Sequence, residues 1–216
     1  MRLAIFDLDG TITRHDTGAP YALGYVIRKR PWRLPLVLCA LPAALGYAIG
    51  LVDLGRLKST FFRTTLGGCD RKDIERWTAT FVDRLVARGL LPPAVEAIRM
   101  HARAGDYLVL LSASMDLWVP AVGRALGFQE VICTGTRWDG ERLDGALATP
   151  NRKGEEKAHC VAALRARHPG MQAVAYGNAA SDLAHLKLVE RGVLVNGSAA
   201  ARRAAVHEGI TCTDWR

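Results

Sequence analysis

Four short apolar runs, each stopping at a small or polar residue, constrain this chain more than any other feature: LAIF at 3–6, YLVLL at 107–111, AVAY at 173–176 and VLV at 193–195. Apolar runs without alternation belong to strands covered on both faces, and each later run follows a segment of helical periodicity. Strands alternating with helices make a parallel sheet, whose functional groups collect where the strands end. The expected fold is therefore α/β, a Rossmann-like parallel sheet flanked by helices. A further stretch, 131–149, reads as a short strand pair turning on Asp139-Gly140 and lying on the periphery of that sheet.

Residues 17–91 break the alternation, with helix-favouring stretches, several Pro and Gly residues and no buried strand. Pro92-Pro93 mark its end, after which VEAIRMHARAG at 95–105 resumes the core pattern and closes on Gly105. The expected organisation is a core of 1–16 and 92–216 with an α-helical cap inserted at 17–91. A length of 216 residues suits one core plus a modest insertion, and 50% hydrophobic with 23% charged residues excludes disorder and a coiled coil.

The five cysteines are odd in number, scattered and free of any CxxC pair, so neither a disulfide framework nor a zinc site is indicated and a reducing cytoplasm fits best. The apolar run after Arg2 stops at Asp7, too short for a secretory signal. A net charge of +8 favours anionic partners: phosphorylated metabolites, anionic lipid surfaces or nucleic acid. The basic residues near Arg28 and Arg202-Arg203 are not interleaved with stacking aromatics, so no nucleic-acid partner is expected.

The chemistry-bearing signal is Asp7-Leu8-Asp9-Gly10-Thr11, two carboxylates two residues apart directly after a buried strand. One can attack phosphorus while the other, displaced along the turn, protonates a leaving oxygen and later activates water. Gly10 lets the chain turn sharply beside a phosphate. In isolation such a tetrapeptide is a solvated turn. Here Ser112 ends the next core strand in LLSAS, Lys157 follows Gly154 in a helical stretch, and Gly177-Asn178-Ala179-Ala180-Ser181-Asp182 follows the third.

With those motifs the chain resembles the haloacid dehalogenase superfamily, in particular its phosphoserine-phosphatase-like branch, over its whole length. The resemblance implies an Asp7 nucleophile, an Asp9 general acid and base, and Ser112 and Lys157 binding and neutralising the transferring phosphoryl group, with Gly10, Thr11 and Ala113 also lining the phosphate. Lys153 is the alternative to Lys157. It also implies a Mg²⁺ ion held by Asp7, the Asp9 carbonyl, Asp182 and Asn178, where the family usually has GDxxxD; an amide in place of a carboxylate removes one negative charge and weakens the metal. Asp9 argues against dehalogenation, in which no leaving oxygen needs a proton.

The most unusual part of the cap is 34–52, an uncharged run preceded by Arg28, Lys29, Arg30, Trp32 and Arg33. It reaches the ~18 residues at which a membrane helix becomes a candidate. A single span would put Asp7 across the bilayer from Ser112, Lys157 and Asp182, so the run is read as a kinked, re-entrant or interfacial segment, with a buried pair of helices as the plainer alternative. The cap also resembles that of bacterial phosphatidylglycerophosphatase C, which implies a phospholipid headgroup as substrate and contact of 28–63 with an anionic membrane surface on the cytoplasmic side. The alternatives are a soluble phosphatase of phosphoserine-like substrates and a non-catalytic binding relative disabled at Asn178. His101, His159 and His185 read as surface or boundary residues of helices, and His15 is the one histidine near the motif. The oligomeric state is not legible.

Overall fold

The computed structural model describes residues 1–216. The elements run β1 (Leu3–Phe6), α1 (Gly18–Lys29), a 3-10 segment (Pro31–Ala40), α2 (Leu41–Ala48), α3 (Leu54–Leu66), α4 (Arg71–Arg88) and α5 (Pro92–Arg103). The second half continues with β2 (Tyr107–Met115), α6 (Val119–Leu126), β3 (Glu130–Thr134), β4 (Thr136–Asp139), β5 (Arg142–Leu147), α7 (Glu155–Arg167) and β6 (Ala173–Gly177). It ends with α8 (Leu183–Leu186), β7 (Arg191–Val195), α9 (Ala199–His207) and β8 (Thr211–Thr213).

Six strands form one wholly parallel sheet in the order β3-β2-β1-β6-β7-β8. Alternation along each strand divides the buried side chains between two apolar cores. Phe6, Leu108, Leu110, Val174, Tyr176 and Val193 point to one face, and Leu3, Ile5, Val109, Leu111, Ala175 and Leu194 to the other. The second face is closed by Val161 and Leu164 of α7 and Ala201 and Ala205 of α9. The first continues without a break through Trp118 into Tyr21, Phe62 and Trp77, so α1, α3 and α4 rest on the same core as the sheet.

Helix boundaries follow local chemistry. The Asp53 and Asp70 carboxylates cap α3 and α4 by accepting from the Arg56 and Lys72 amides at 2.9 and 3.0 Å. In α1 the buried residues Tyr21, Ala22, Tyr25 and Val26 repeat at one-turn spacing, which sets the face it lays on the core.

Three expectations are corrected. The β4–β5 pair turns at Asp139-Gly140 as read, but it lies off the sheet, bound to the segment after α3: Gly68 N–H donates to Leu143 O at 2.7 Å and Leu143 N–H to Cys69 O at 2.9 Å. Gly145 makes a second close approach, to α3 itself. Its φ is +87°, and a Cβ there would lie 2.9 Å from the Arg63 nitrogen. Two strands of the main sheet, β3 and β8, were not anticipated. His101 and His185 are buried rather than peripheral; His101 bridges Asp106 and Tyr176 at 2.7 and 3.0 Å, while His159 is exposed as expected.

The 34–52 run is neither one helix nor a buried pair. Pro35 and Pro42 lack the amide hydrogen an α-helix needs, and the chain folds as a 3-10 segment followed by the short α2. Only Ala40 within the run is buried. Trp32, Leu38, Leu45 and Leu51 are 70%, 62%, 65% and 77% exposed. No helix is long and apolar enough to cross a membrane.

Candidate active site

The strand order reverses between β2-β1 and β6, so the loops after β1 and β6 diverge and leave a crevice at their C-terminal ends. Asp7 enters it from the end of β1. Asp182 enters from a single 3-10 turn after β6, which folds back because its Oδ2 accepts the Asn178 and Ala179 amides, each at 3.0 Å. Lys157 comes from the first turn of α7, on the stripe that buries Ala158, Val161 and Leu164. Its Nζ donates to Asp7 Oδ1 at 2.6 Å and to Asp182 Oδ1 at 2.9 Å.

Burial pushes the Asp7 carboxyl up to about 7 despite Lys157, with the Asp182 charge adding to the rise. Burial acts the same way on Asp182, but Lys157 and His185 outweigh it and hold that group at about 2. Burial alone would lower Lys157, and the two carboxylates more than reverse this, so the lysine stays charged. One cation therefore faces two buried carboxylates, which leaves the cluster short of positive charge.

The second motif carboxylate is held apart from the first. Asp9 Oδ1 accepts the Thr17 amide at 2.7 Å and Oδ2 accepts the Ser114 hydroxyl, which turns the group away from Lys157. Burial, then the charge of Asp16, raises its pKa. No three acidic, histidine or cysteine side chains stand close enough to hold a metal among themselves. The cavity residues that carry oxygen donors are Asp7, Asp9, Asn178 and Asp182. That oxygen-only set, together with the deficit of positive charge, fits a small divalent ion such as Mg²⁺.

Asp7, Asp9, Gly10, Ala113, Lys157, Asn178 and Asp182 line one open cavity of about 460 Å³. Lys153 lines it too, but Lys157 is the lysine paired with Asp7. Thr11 and Ser112 do not line it. Thr11 is fully buried and donates its hydroxyl to Asp7 Oδ2 at 3.0 Å; Ser112 is fully buried and its Oγ accepts the Ser114 amide at 3.0 Å. Gly10 has φ +77°, and any Cβ there would collide with the Asn178 side chain, so the β1 and β6 loops interlock.

Sequence reasoning missed Ser114 and Lys58. Ser114 shares the strand phase of Ser112, the register shifts between Leu111 and Met115, and of the two it is Ser114 that lines the crevice. Lys58 lies one turn after Leu54 on the inward stripe of α3, a lone charge among apolar residues that could have marked it. Its Nζ donates to Ala113 O at 2.8 Å and Asn151 Oδ1 at 2.9 Å, and burial draws its pKa down to about 8.

Comparison with known proteins gives the family. Residues 4–187 match the family described as haloacid dehalogenase-like hydrolase. The chain belongs to that family. Among relatives, it is 30% identical to Protein CicA of Caulobacter vibrioides over 87% of this chain and 83% of that one. It is 24% identical to a histidinol-phosphatase of Neisseria meningitidis over 96% of each. A crystal structure of a protein from Bordetella pertussis Tohama I superposes with a TM-score of 0.85 at 23% identity, covering 100% and 99% of the two chains. A phosphoserine phosphatase solved as a phospho-aspartyl intermediate analogue superposes at 0.68 and 15% identity, covering 98% and 92%. The chain is thus a haloacid dehalogenase-like hydrolase with the family's α/β fold and phosphatase neighbours.

Proposed function

We propose that this hydrolase cleaves phosphomonoesters through a phospho-aspartyl intermediate, with Mg²⁺, and that its substrate is a phospholipid headgroup of the phosphatidylglycerophosphate kind. The observation that carries the reading is the separate tethering of two carboxylates from one loop: Asp7 against Lys157, Asp9 against Ser114 and Thr17. Asp7 attacks phosphorus in line with the ester oxygen, and Asp9 gives that oxygen a proton as the alcohol leaves. Asp9 then takes a proton from water attacking the phospho-aspartate, which releases phosphate and restores Asp7. Lys157 offsets charge as it develops on the phosphoryl oxygens. Asp7, Asp182, Asn178 and the Asp9 carbonyl would hold Mg²⁺, which when bound withdraws charge from the phosphoryl group. In this reading α1 to α4 serve as the cap over the strand ends, with 1–16 and 92–216 as the catalytic core.

Two features support the lipid substrate. Trp32, Leu38, Leu45, Ile49 and Leu51 are all exposed large apolar residues of one short segment. Arg28, Lys29 and Arg30 stand beside it on a cleft shared with Arg76 and Arg84, and basic groups near an anionic leaflet contribute ~1 kcal/mol each. The surface would rest on the cytoplasmic face of a membrane without crossing it. The full-length similarity to a histidinol-phosphatase supports a second reading, a soluble phosphatase of small amino-alcohol phosphates.

Phosphate release with Mg²⁺ from phosphatidylglycerophosphate in mixed micelles and from phosphoserine and histidinol phosphate in solution separates these readings. Selective release from the lipid, abolished in Asp7→Asn, is the expected result. Preference for the small esters replaces the lipid reading, and tight binding of phosphate analogues without release would mark a binding protein.

A further inference from the structure

An apolar cavity of about 420 Å³ opens beside the phosphate crevice, within the ~300–1,000 Å³ usual for small-molecule sites. Its walls are Ala40 and Ala44 from the 34–52 run, Leu57 and Phe61 from α3, and Met115 and Trp118 from the end of β2 and the turn after it. The two spaces adjoin, with Asp16, Leu54, Lys58 and Ser114 lining both. Polar groups stand only at that junction. Beyond it the lining is aliphatic and aromatic, so an ammonium, carboxylate or imidazole seated there would lose water without gaining a partner. At its outer edge Leu41 lines the cavity and is 59% exposed, which joins the cavity to the apolar surface of the same segment.

We infer that this cavity receives a hydrocarbon segment of the alcohol released in the reaction, making the chain selective for phosphomonoesters with an alkyl or acyl chain beside the phosphate. The inference rests on the phosphomonoesterase reading and narrows its substrate class: a phosphatidylglycerophosphate headgroup would seat a glycerol and a phosphodiester in this apolar cavity, so the fitting lipid carries its chain directly on the alcohol that bears the phosphate. The phosphate end binds among Lys157, Ala113 and Gly10, the junction residues Lys58 and Ser114 stand at the ester, and the chain runs outward between α3 and the 34–52 segment. Ala40 and Ala44 keep that passage open, because larger side chains there would fill it. The same chemistry is offered by a free alkyl phosphate and by a lipid drawn from a bilayer.

The test is a series of linear phosphates from ethyl to decyl, each kept below its aggregation concentration, assayed for kcat/KM with Mg²⁺. Alongside it, calorimetry measures binding of the matching alkyl phosphonates, whose carbon–phosphorus bond is not hydrolysed. Each methylene taken into the cavity is worth about fourfold, so both series should climb by that factor until the cavity is full. In Ala44→Phe the decyl-to-ethyl ratio should fall at least tenfold; the wild-type series stands without the variant. Constant kcat/KM and phosphonate affinity along the series would overturn the inference and leave the phosphatase reading standing. A gain seen only with micelles or vesicles also overturns it, since the exposed Leu surface alone would then be at work. Chain-dependent phosphonate binding without hydrolysis of any ester removes the phosphatase reading and retains the cavity's occupant.

Discussion

Lys157→Met tests whether the Asp7–Lys157–Asp182 cluster is a buried network that depends on its one cation. The lysine nitrogen lies 2.6 and 2.9 Å from the two carboxylates, and the three side chains are 3%, 8% and 4% exposed. Methionine keeps most of the stem's volume, so the loss is electrostatic rather than a cavity. Removing one partner of a buried ion pair costs ~3–5 kcal/mol, because an uncompensated charge remains out of water. At ~2–4 °C per kcal/mol for a chain of this size, Tm should fall by roughly 6–20 °C. Asp182→Asn removes one of the stranded charges, so Lys157→Met/Asp182→Asn should lose less than the sum of the singles, with a coupling of ~1–3 kcal/mol. Calorimetric unfolding of the four proteins at neutral pH measures both quantities. A loss below ~1 kcal/mol, the value of an exposed pair, or strict additivity would refute the reasoning.

Three further outcomes follow from single contacts. Ser114→Ala releases one oxygen of Asp9, and kcat should drop about tenfold or more with KM little changed; a change confined to KM would place Ser114 in substrate binding instead. Gly145→Ala must hold a side chain at φ +87° against the Phe62–Arg63 backbone, so stability should fall by at least ~1–2 kcal/mol in denaturant titrations, and an unchanged midpoint would show that the hairpin shifts freely. Two hydrogen bonds from Arg165, with one from the Ala173 amide, hold Glu190 at about 2, below the ~4.3 of an unfolded glutamate. Its stabilisation is complete above the unfolded value and fades as pH falls toward about 2, so the Tm gap between wild type and Glu190→Gln should close over that window; a gap independent of pH contradicts the pairing.

What the sequence made legible follows from what one dimension records. LAIF, YLVLL, AVAY and VLV are buried on both faces, so their composition announces them. β3 is only half-buried and β8 has three residues at the sheet edge, so neither carries a continuous apolar signal. The Asp139-Gly140 turn was visible, but the hairpin's seat against α3, with its close approach at Gly145, is encoded by no local pattern. In the site, Asp7, Asp182 and Lys157 were found because each sits at a fixed offset from a strand or helix start. Ser112 is legible as the polar end of a buried strand, whereas the contact of the Ser114 hydroxyl with Asp9, two residues further along and past the register shift in β2, is not. Lys58 comes from a helix far away in the chain, where only three-dimensional packing reveals its neighbours.

The β4–β5 hairpin leaves the sheet after β3 and returns into α7, and on the way it is stitched to the chain between α3 and α4. Gly68, Leu143 and Arg71 each donate a backbone hydrogen bond across that seam, at 2.7 to 2.9 Å. Swinging α3 and α4 away from the strand ends would tear all three at once, so these amides should exchange with solvent only as slowly as the deepest strands do. The 34–52 run has no comparable anchor and buries a single alanine, so the cheapest opening of this molecule is there, and amide exchange should sort the helical insert into a slow frame and a fast flap.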